Sequence, residues 1–384
     1  MHLQEAISRY KGGEQRMKMY YIANVRMPSE KAHSIQIAKM CEAFIEQGVD
    51  LELVIPSRGS GSLKQAYTLA REIPLRRLAV MDMYFLGPIG YRLTALQFML
   101  GALIYVWAKV LSGEQFVMYT VDIDPFSFVP LMWIPRPLFA EMHGVKRPNS
   151  LRRRFFRRSH TIATNVPIAE ELSRTFNIPS KRLLIEPNGV DESALRNLVS
   201  QAEARRHLGL PAGPFALYVG LLYAWKGLEI LADAAPLSPL SIHLVGGTRE
   251  AYERVTGKSG KLLHFHGLKP VSERELWLAA ADVLLLVGTA RNADSYRHTS
   301  PMKTFEYLGA RRATVVAATP SMRSALLDKM VFWYEPDNAD SLARAIHEAH
   351  TSKEAPAKIR AGYAFAAEHT WRRRAERIRA FIGV

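Results

Sequence analysis

The sequence predicts an α/β protein made of two doubly wound domains, each a parallel sheet covered by helices. Apolar segments rich in β-forming residues alternate with helical patterns along almost all of the 384 residues, as in strand–helix–strand units. The strand segments form two series, and turn-forming residues at 187–191 (Pro-Asn-Gly-Val-Asp) lie between them. A chain of this length is too long for one compact core and suits about two domains.

The first series contains six predicted strands, and amphipathic helices follow several of them. These strands are Lys18 to Val25, Val49 to Ile55, Gln115 to Val121, Leu138 to Met142, His160 to Thr164 and Leu183 to Glu186. We assign residues 17–190 to an N-terminal domain. Residues 1–16 are polar and lack the apolar core of a signal peptide, so we interpret them as a leader whose expected state is disorder.

Leu93 to Leu111 is the one segment with the hydropathy of a membrane helix. Its length is close to that of a spanning helix, but Gln97 and Lys109 interrupt it. We therefore expect a buried or interfacial helix of a soluble domain and predict no transmembrane span.

The second series also contains six predicted strands, which we assign to a C-terminal domain at residues 191–362. They are Phe215 to Gly220, Ser241 to Val245, Leu262 to Phe265, Val283 to Val287, Thr314 to Ala317 and Val331 to Tyr334. The last segment, Trp371 to Ile382, is a basic amphipathic helix. It follows another helix and so adds no strand to the second sheet.

The composition excludes a disordered chain and predicts an anionic partner. Apolar residues make up 48% of the chain, and 51 Lys plus Arg against 36 Asp plus Glu give a net charge of +15. Such an excess favours contact with a membrane, a nucleic acid or a phosphorylated ligand. The single cysteine, Cys41, provides neither a disulfide framework nor a zinc thiolate cluster, which predicts a reducing, cytosolic compartment.

Residues 146–158 carry seven bases and no acid, with Leu151, Phe155 and Phe156 at helical spacing. One interpretation is a helix resting on anionic lipid, with Phe155 in the interface and the guanidinium groups at the headgroups. Those groups belong to Arg152, Arg153, Arg154, Arg157 and Arg158. The alternative is a solvated helix whose phenylalanines pack on the domain.

In doubly wound sheets, ligands bind at the carboxyl ends of the strands, and three loops of the second series fit that position. In the first, Gly220 lets the backbone turn, and Lys226 can place an ammonium on a diphosphate. In the second, Gly246 allows close approach of a phosphate or base. The third, with Gly267 and Leu268, could hold a nucleobase. Ordinary turns and a surface lysine are the alternatives.

The fourth loop is the most specific and runs from His298 to Gly309. Ser300 is predicted to cap a helix that begins with Pro301, so that amide N–H groups and the positive end of the helix dipole face an anion. Lys303 adds positive charge. Glu306, one turn into the helix, can accept hydrogen bonds from a ribose diol, and a buried structural glutamate is the competing interpretation.

As a set, these residues resemble the retaining family 4 glycosyltransferases of GT-B fold, over roughly residues 17–381. The matching segments are Met27 to Ser34, Glu141 to Gly144, the hinge 187–191, Trp225 to Gly227, Ser300 to Lys303 with Phe305 to Leu308, and Trp371. The resemblance implies two Rossmann-like domains facing across a cleft, with the tail helix 363–384 joining the N-terminal domain.

The resemblance also implies a site for a UDP- or GDP-linked sugar on the C-terminal domain. Lys226 would contact the diphosphate, Glu306 the ribose, and His143 the transferred sugar. The backbone amides between Ser300 and Lys303, a stretch that includes Pro301 and Met302, would contact phosphate. The family transfers sugar with retention by front-face attack, in which the leaving diphosphate helps to deprotonate the acceptor. No metal is implied, because lysine and helix amides neutralise the leaving group.

Two departures from the family pattern keep other functions open. Leu221 stands where the family often has a base, and His298 stands eight positions before Glu306, where a first glutamate is common. A catalytically silent GT-B partner subunit and a nucleotide-sugar epimerase are therefore alternatives. Asp122 and Asp124 form an Asp-x-Asp that could instead hold Mn²⁺ or Mg²⁺.

The expected function is transfer of a hexosyl or related group to a glycan or lipid-linked acceptor in surface polysaccharide or glycoconjugate synthesis. The expected location is the cytoplasm, peripheral on the inner face of a membrane. Binding to nucleic acid would account for the charge but not for the glycine loops or Glu306, and it is not expected.

Overall fold

A computed structural model describes residues 17–124, 126–196, 199–210 and 213–383; the predicted leader at 1–16 lies outside them. In this part of the chain, two parallel sheets are found. The first comprises β1 (Lys18–Ile22), β2 (Asp50–Pro56), β3 (Leu75–Leu78), β4 (Phe116–Val121), β5 (Leu138–Met142), β6 (His160–Ala163) and β7 (Leu183–Ile185). Its strand order is β3-β2-β1-β4-β5-β6-β7, with every pair parallel.

The second sheet comprises β8 (Phe215–Val219), β9 (Ser241–Val245), β10 (Leu263–Phe265), β11 (Val283–Leu286), β12 (Ala313–Ala317) and β13 (Phe332–Tyr334). Its order is β10-β9-β8-β11-β12-β13, and all pairs are parallel. Each strand of the second sheet lies within one residue of its predicted ends, whereas β1 of the first sheet ends three residues before the predicted Val25. The prediction of an α/β chain with two doubly wound sheets is confirmed.

Helices cover both sheets. Before the second sheet lie α1 (Ala32–Glu46), α2 (Leu63–Tyr67), α3 (Gly87–Leu111), α4 (Ser150–Arg158), α5 (Val166–Phe176), α6 (Glu192–Arg196) and α7 (Gln201–His207). Within and after it lie α8 (Glu229–Ala234), α9 (Arg249–Thr256), α10 (Arg274–Ala280), α11 (Lys303–Gly309), α12 (Pro320–Arg323), α13 (Ala339–Thr351), α14 (Ala355–Ala367) and α15 (Trp371–Ile382).

The chain divides into two compact units. The first contains the chain up to Thr164, residues Ile168–Glu186 and the chain from Trp371 onward, and the second contains Asn165–Pro167 and Pro187–Thr370. The helix α15 therefore belongs to the first unit, where it packs against α1. The returning segment begins at Trp371, eight residues after the predicted start at residue 363.

One core covers a single face of the first sheet. It contains alternate residues of the strands, such as Tyr20 and Ile22 of β1, together with Met118 of β4 and Ala140 of β5. These residues pack against side chains of α3, α4, α5 and the turn Val129–Trp133. Because successive side chains of a strand point to opposite faces, these helices and the turn share one side of the sheet.

The interfacial placement of Phe155 is wrong. Phe155 and Phe156 are both 0% exposed and pack in that core. Apolar side chains at helical spacing on a basic helix can face a protein core as well as lipid. Here they pack against the first sheet. The guanidinium groups of Arg153, Arg154 and Arg157 are left on the outside of α4.

The edge strand β3 was not predicted. Its sequence, Leu-Arg-Arg-Leu, has no apolar run and no clean alternation, and it pairs only with β2 among the described strands. An edge strand needs less apolar surface than a central one, and charged side chains there are common.

The helix α3 begins at Gly87, six residues before the predicted start, and Pro88 occupies its first turn. By length and composition alone, the segment Tyr84–Leu111 could cross a membrane, yet 28% of its apolar window is buried in the protein. The helix is thus neither fully buried nor free of the core.

Candidate functional site

The carboxyl ends of β8, β9 and β10 carry three glycines that lie against one another. The N–H of Gly220 donates to the carbonyl of Val245 at 2.7 Å, and the N–H of Gly246 donates to that of Gly267 at 2.8 Å. A Cβ on Gly246 would lie 2.3 Å from the carbonyl oxygen of Gly220, and the φ angles of the three glycines are all positive. The result is a surface of bare backbone at the edge of the sheet.

Two lysine ammonium groups approach this glycine surface. The Nζ of Lys303 would lie 1.8 Å from a Cβ on Gly220, and it is 4.2 Å from the ring centroid of Tyr218. The Nζ of Lys226 donates to the carbonyl of Leu221 at 2.9 Å and to the hydroxyl of Tyr218 at 3.4 Å. Within the described residues, neither ammonium forms an ion pair with a carboxylate.

Burial makes both lysines easy to deprotonate. It lowers the pKa of Lys226 to about 8. It also lowers the pKa of Lys303 well below its ordinary value, and the charge of Lys226 lowers it further while Glu306 opposes the change. Two unpaired ammonium groups close together are unfavourable until an anion joins them.

Glu306 is carried by α11, which is anchored to the end of β8. The Tyr307 hydroxyl accepts from the N–H of Val219 at 2.9 Å and donates to its carbonyl at 3.2 Å. The Oε1 of Glu306 accepts from Arg274 at 2.7 Å, and its side chain is 12% exposed. Arg274, at the start of α10, was not predicted as a site residue, because no local pattern connects it to α11.

The predicted helix cap at Ser300 is wrong. The helix begins at Lys303, Met302 is the residue before it, and no side chain caps its first turn. The carbonyl of Ser300 instead accepts from Asn188 of the hinge at 2.6 Å, while Pro301 accepts from the N–H of Thr304. The loop is therefore positioned by a contact from distant sequence.

His298 lies at the start of the fourth predicted loop, and Leu268 lies in the third. His298 ends a short π-helical turn, Asp294–His298, and its Nδ1 is 3.1 Å from Asp294 Oδ1. Leu268 is 67% exposed beside Gly267. The structure thus brings the glycines, both lysines and Glu306 into one unit, with His298 in the loop that precedes α11.

In the first unit, His143 follows directly after β5. Its Nε2 is 2.8 Å from Oε1 of Glu141, and its backbone N–H donates to Asp122 at 2.8 Å. The side chain is 31% exposed. Two buried carboxylates therefore fix this histidine while its ring stays accessible.

Glu141 is the centre of a buried polar network. Gln36 donates to its Oε1 at 2.7 Å, Tyr119 donates to its Oε2, and Arg374 of α15 lies 2.9 Å away. Glu141 and Arg374 are both 0% exposed. Burial alone would raise the pKa of Glu141, but the charge of Arg374 and the hydrogen bonds from His143 and Arg374 hold it well below its usual range.

The Asp-x-Asp carboxylates both have partners within the protein. Asp122 Oδ2 lies 2.9 Å from Lys146. Asp124 accepts from the N–H of Ser127 at 2.6 Å and from Asn24 at 2.7 Å. In the described part of the chain, no group of three or more His, Cys, Asp or Glu residues is arranged to hold a metal ion.

The basic residues of α4 take two different positions. Arg158 donates to the carbonyls of Ile134 and Arg136, and Arg152 is half-buried and donates to that of Arg147. Arg153, Arg154 and Arg157 are exposed.

Comparison with known proteins extends this description. Residues 213–352 match the family model of the glycosyl transferases group 1. No curated protein sequence matches the chain.

Three solved structures are similar over nearly the whole chain. A glycosyltransferase from Rickettsia africae is 12% identical, with a TM-score of 0.71, and the alignment covers 96% of this chain and 98% of that one. A sucrose-phosphate synthase from Thermosynechococcus elongatus is 16% identical, with a TM-score of 0.71 over 94% and 97%. HepE from Anabaena, in complex with UDP-glucose, is 16% identical, with a TM-score of 0.64 over 95% and 98%. The chain thus has the GT-B fold, and its second unit is similar in sequence to the glycosyl transferases of group 1.

Proposed function

We propose that this protein is a retaining glycosyltransferase that moves a sugar from a nucleoside-diphosphate sugar to a glycan or lipid-linked acceptor. The observation that carries the proposal is the pair of ammonium groups, Lys226 and Lys303, beside the bare glycine surface at the ends of β8 to β10. Neither lysine ion-pairs with a carboxylate among the described residues. Structures of HepE with UDP and with UDP-glucose support a uridine nucleotide over GDP as the first donor to test.

A diphosphate fits this arrangement because it supplies the missing negative charge. Backbone N–H groups can approach phosphate closely where glycines leave no side chain in the way. Each ammonium then forms a charge-assisted hydrogen bond, which is stronger than its present bond to a carbonyl or ring. Glu306, on the next turn of the helix that carries Lys303, is proposed to accept from the ribose hydroxyls, and Arg274 orients its carboxylate.

The same groups support departure of the nucleotide. In front-face transfer, the acceptor oxygen bonds to the anomeric carbon on the face from which the diphosphate leaves. The carbon–oxygen bond to the diphosphate breaks, and the acceptor proton passes to a diphosphate oxygen. Lys226 and Lys303 stabilise the charge that develops on the leaving group, and we propose that they do so without a metal ion.

The acceptor side of the proposal rests on the first unit. We propose that His143 contacts the transferred sugar, since Glu141 and Asp122 hold it in place with its ring exposed. Surface polysaccharide or glycoconjugate synthesis on the cytoplasmic face of a membrane agrees with the basic excess of the chain.

The silent-subunit alternative was suggested by Leu221, where a base is usual, and by His298. Lys303 places its ammonium against Gly220, next to Leu221, and this contact supports an active transferase. A second alternative, a nucleotide-sugar epimerase, differs in its product, because it would change the sugar without releasing the nucleotide. An assay of nucleotide release with and without acceptor separates the two enzymes.

Thermal stability in the presence of nucleotides tests the proposal. UDP, with EDTA present and at a hundred times its Kd, is expected to raise Tm by about 5–10 °C. The increase is expected to disappear in Glu306→Ala and to remain in Glu348→Ala, a control at an exposed glutamate of α13. GDP and ADP panels identify the base.

Two results would contradict the proposal. The absence of a shift with every nucleotide and nucleotide sugar would favour the silent subunit. A shift that requires Mn²⁺ or Mg²⁺ would refute metal independence and return attention to Asp122 and Asp124.

The affinity for UDP is expected to fall at alkaline pH. Burial lowers the pKa of Lys226 to about 8 in the free protein, and a bound diphosphate raises it by favouring the ammonium. Below pH 8 the lysine is already protonated, whereas above pH 8 binding must take up a proton. Isothermal titration is therefore expected to show Kd rising about tenfold per pH unit above 8. Lys226→Arg, which stays charged, should show a smaller increase than the wild type, because only Lys303 must then take up a proton. An unchanged Kd in the wild type up to pH 9.5 would contradict the assignment.

A further inference from the structure

The outward face of α3 is apolar along its whole length. Seven of its side chains are exposed at spacings of three or four residues, and we call them the α3 stripe. They are Ile89, Leu93, Leu96, Leu100, Ile104, Trp107 and Leu111. The helix contains no Asp or Glu, and Phe85, just before it, is 82% exposed. A continuous apolar surface of this size is unusual on a protein that meets only water.

The opposite face of α3 is committed to the protein. Thr94, Ala95, Phe98, Ala102 and Val106 are buried, and the last three belong to the core on the first sheet. The helix therefore lies along the surface of the first unit, where its 25 residues extend for about 37 Å at 1.5 Å per residue. A helix held on a sheet in this way can lie in a membrane interface but cannot span the bilayer.

Basic groups lie on the same side of the sheet as the α3 stripe. The turn Val129–Trp133 packs against both α3 and α4, and its Trp133 is 49% exposed. Because the phenylalanines of α4 point into the core, the guanidinium groups of Arg153, Arg154 and Arg157 face outward. Like α3, α4 contains no acid.

We propose that the α3 stripe and the exposed arginines of α4 form a docking surface for an anionic phospholipid bilayer. Leucine, isoleucine and tryptophan side chains enter the interface, and the guanidinium groups meet the headgroup phosphates. Phe155 is buried, so the apolar contact with the membrane comes from α3. This surface does not depend on the nucleotide site, so it goes beyond the proposed transferase activity.

The charge pattern favours a bilayer over a second copy of the chain. A symmetric pair would bring the same surface from both copies together. The arginines of α4, and Arg92 on α3 itself, would then approach their own counterparts, and like charges repel. An anionic membrane satisfies the apolar side chains and the guanidinium groups at once.

Sedimentation with lipid vesicles tests the proposal. The full chain is mixed with vesicles of phosphatidylcholine that contain about 30 mol% of the anionic lipid phosphatidylglycerol. The triple variant Leu96→Gln, Leu100→Gln, Ile104→Gln is expected to bind at least about a hundredfold more weakly, because each side chain loses its transfer from water. The control variant Leu237→Gln, Leu262→Gln, Leu327→Gln changes three comparably exposed leucines of the second unit and should bind as the wild type does.

The electrostatic part has its own variant and lipid control. Replacing Arg153, Arg154 and Arg157 by Gln is expected to weaken binding to the anionic vesicles by about fivefold per charge. Binding to vesicles of phosphatidylcholine alone should not change. All variants should keep the wild-type melting curve and the UDP-induced shift, since the substituted side chains are exposed in the structure.

A label on α3 reports the contact directly. Cys41 is 0% exposed, so Leu100→Cys provides a single accessible thiol for an environment-sensitive dye, and Leu262→Cys provides the matched control. Vesicles are expected to shift the emission of the Leu100→Cys dye to shorter wavelength and to leave that of Leu262→Cys unchanged.

Two outcomes would overturn the proposal. One is equal vesicle binding by the α3 triple variant and the wild type. The other is a dimer of the wild type in sedimentation velocity without lipid that the α3 variant dissociates, which would make a second copy the partner. If no nucleotide stabilises the protein, the proposed transferase activity is contradicted. The vesicle-binding and sedimentation results can still be interpreted in that case.

Discussion

Arg374→Met is expected to lower the free energy of unfolding of the first unit by about 3–5 kcal/mol at pH 7. Arg374 and Glu141 are both 0% exposed and lie 2.9 Å apart. Removing the guanidinium leaves a buried carboxylate without its compensating charge, which is far more costly than the loss of an exposed pair. Urea unfolding followed by circular dichroism measures the change.

The same helix provides the control for this experiment. Arg372 is exposed and forms a surface pair with Glu376 at 3.5 Å, so Arg372→Met should cost less than about 1 kcal/mol. Adding Glu141→Gln to Arg374→Met is expected to recover part of the loss, because the neutral amide needs no counter-charge. Equal losses for Arg372→Met and Arg374→Met would contradict the assignment.

The pH dependence of this effect has a defined sign. Arg374 helps to hold the pKa of folded Glu141 below its unfolded value, so the stabilisation is complete above the unfolded pKa and declines as pH falls toward the folded pKa. In Arg374→Met this opposing charge is gone, and protonation of Glu141 relieves the penalty. The difference between variant and wild type is therefore expected to shrink as the solution is acidified.

Lys303→Met is expected to lower kcat/KM for sugar transfer by about 10²–10³-fold, the cost of removing one preorganised group that stabilises a developing charge. In the free protein, however, Lys303 is half-buried near Lys226 with a pKa well below its ordinary value. Replacing it by an apolar side chain of similar length should leave Tm unchanged or raise it. Lower activity without lower stability would indicate that Lys303 serves ligand binding and does not stabilise the fold.

A matched lysine and a second variant make the result specific. Lys329 is exposed on the same unit, and Lys329→Met should leave both kcat/KM and Tm as they are. Lys226→Met combined with Lys303→Met measures the coupling of the two ammonium groups through the diphosphate. A fall in Tm for Lys303→Met that matches its loss of activity would instead indicate a structural role.

The strands could be predicted because local patterns determine them. Segments such as Ser241–Val245 are short and apolar between turn residues, and such segments are central strands of parallel sheets in almost any context. The strand β3 could not be predicted, because Arg76 and Arg77 leave it no apolar pattern and its only described partner is β2. The strand forms because β2 provides a neighbouring edge with which it can pair.

Half of the candidate site is local in sequence, and that half could be predicted. Gly220, Lys226 and Glu306 sit at fixed offsets from strands and helices, so a motif finds them. Arg274 and Arg374 reach Glu306 and Glu141 across 32 and 233 positions. Such contacts depend on packing, and one sequence provides no local pattern for them.

Two local predictions failed where tertiary contacts decided between equally sound alternatives. Ser300 is a good helix cap by type, but the Asn188 contact to its carbonyl holds the loop, and the helix starts later. The helical spacing of Phe155 predicted an apolar helix face. The local sequence does not determine whether a sheet or a lipid surface covers that face.

The placement of α15 in the first unit has a consequence for how the chain is made. The ribosome finishes the first sheet and its Glu141 early, yet the guanidinium that neutralises this carboxylate is encoded 233 residues later. At ordinary elongation rates that interval is roughly 10–50 s. During translation the nascent N-terminal unit therefore lacks this partner of Glu141, and its final packing follows synthesis of the entire C-terminal unit.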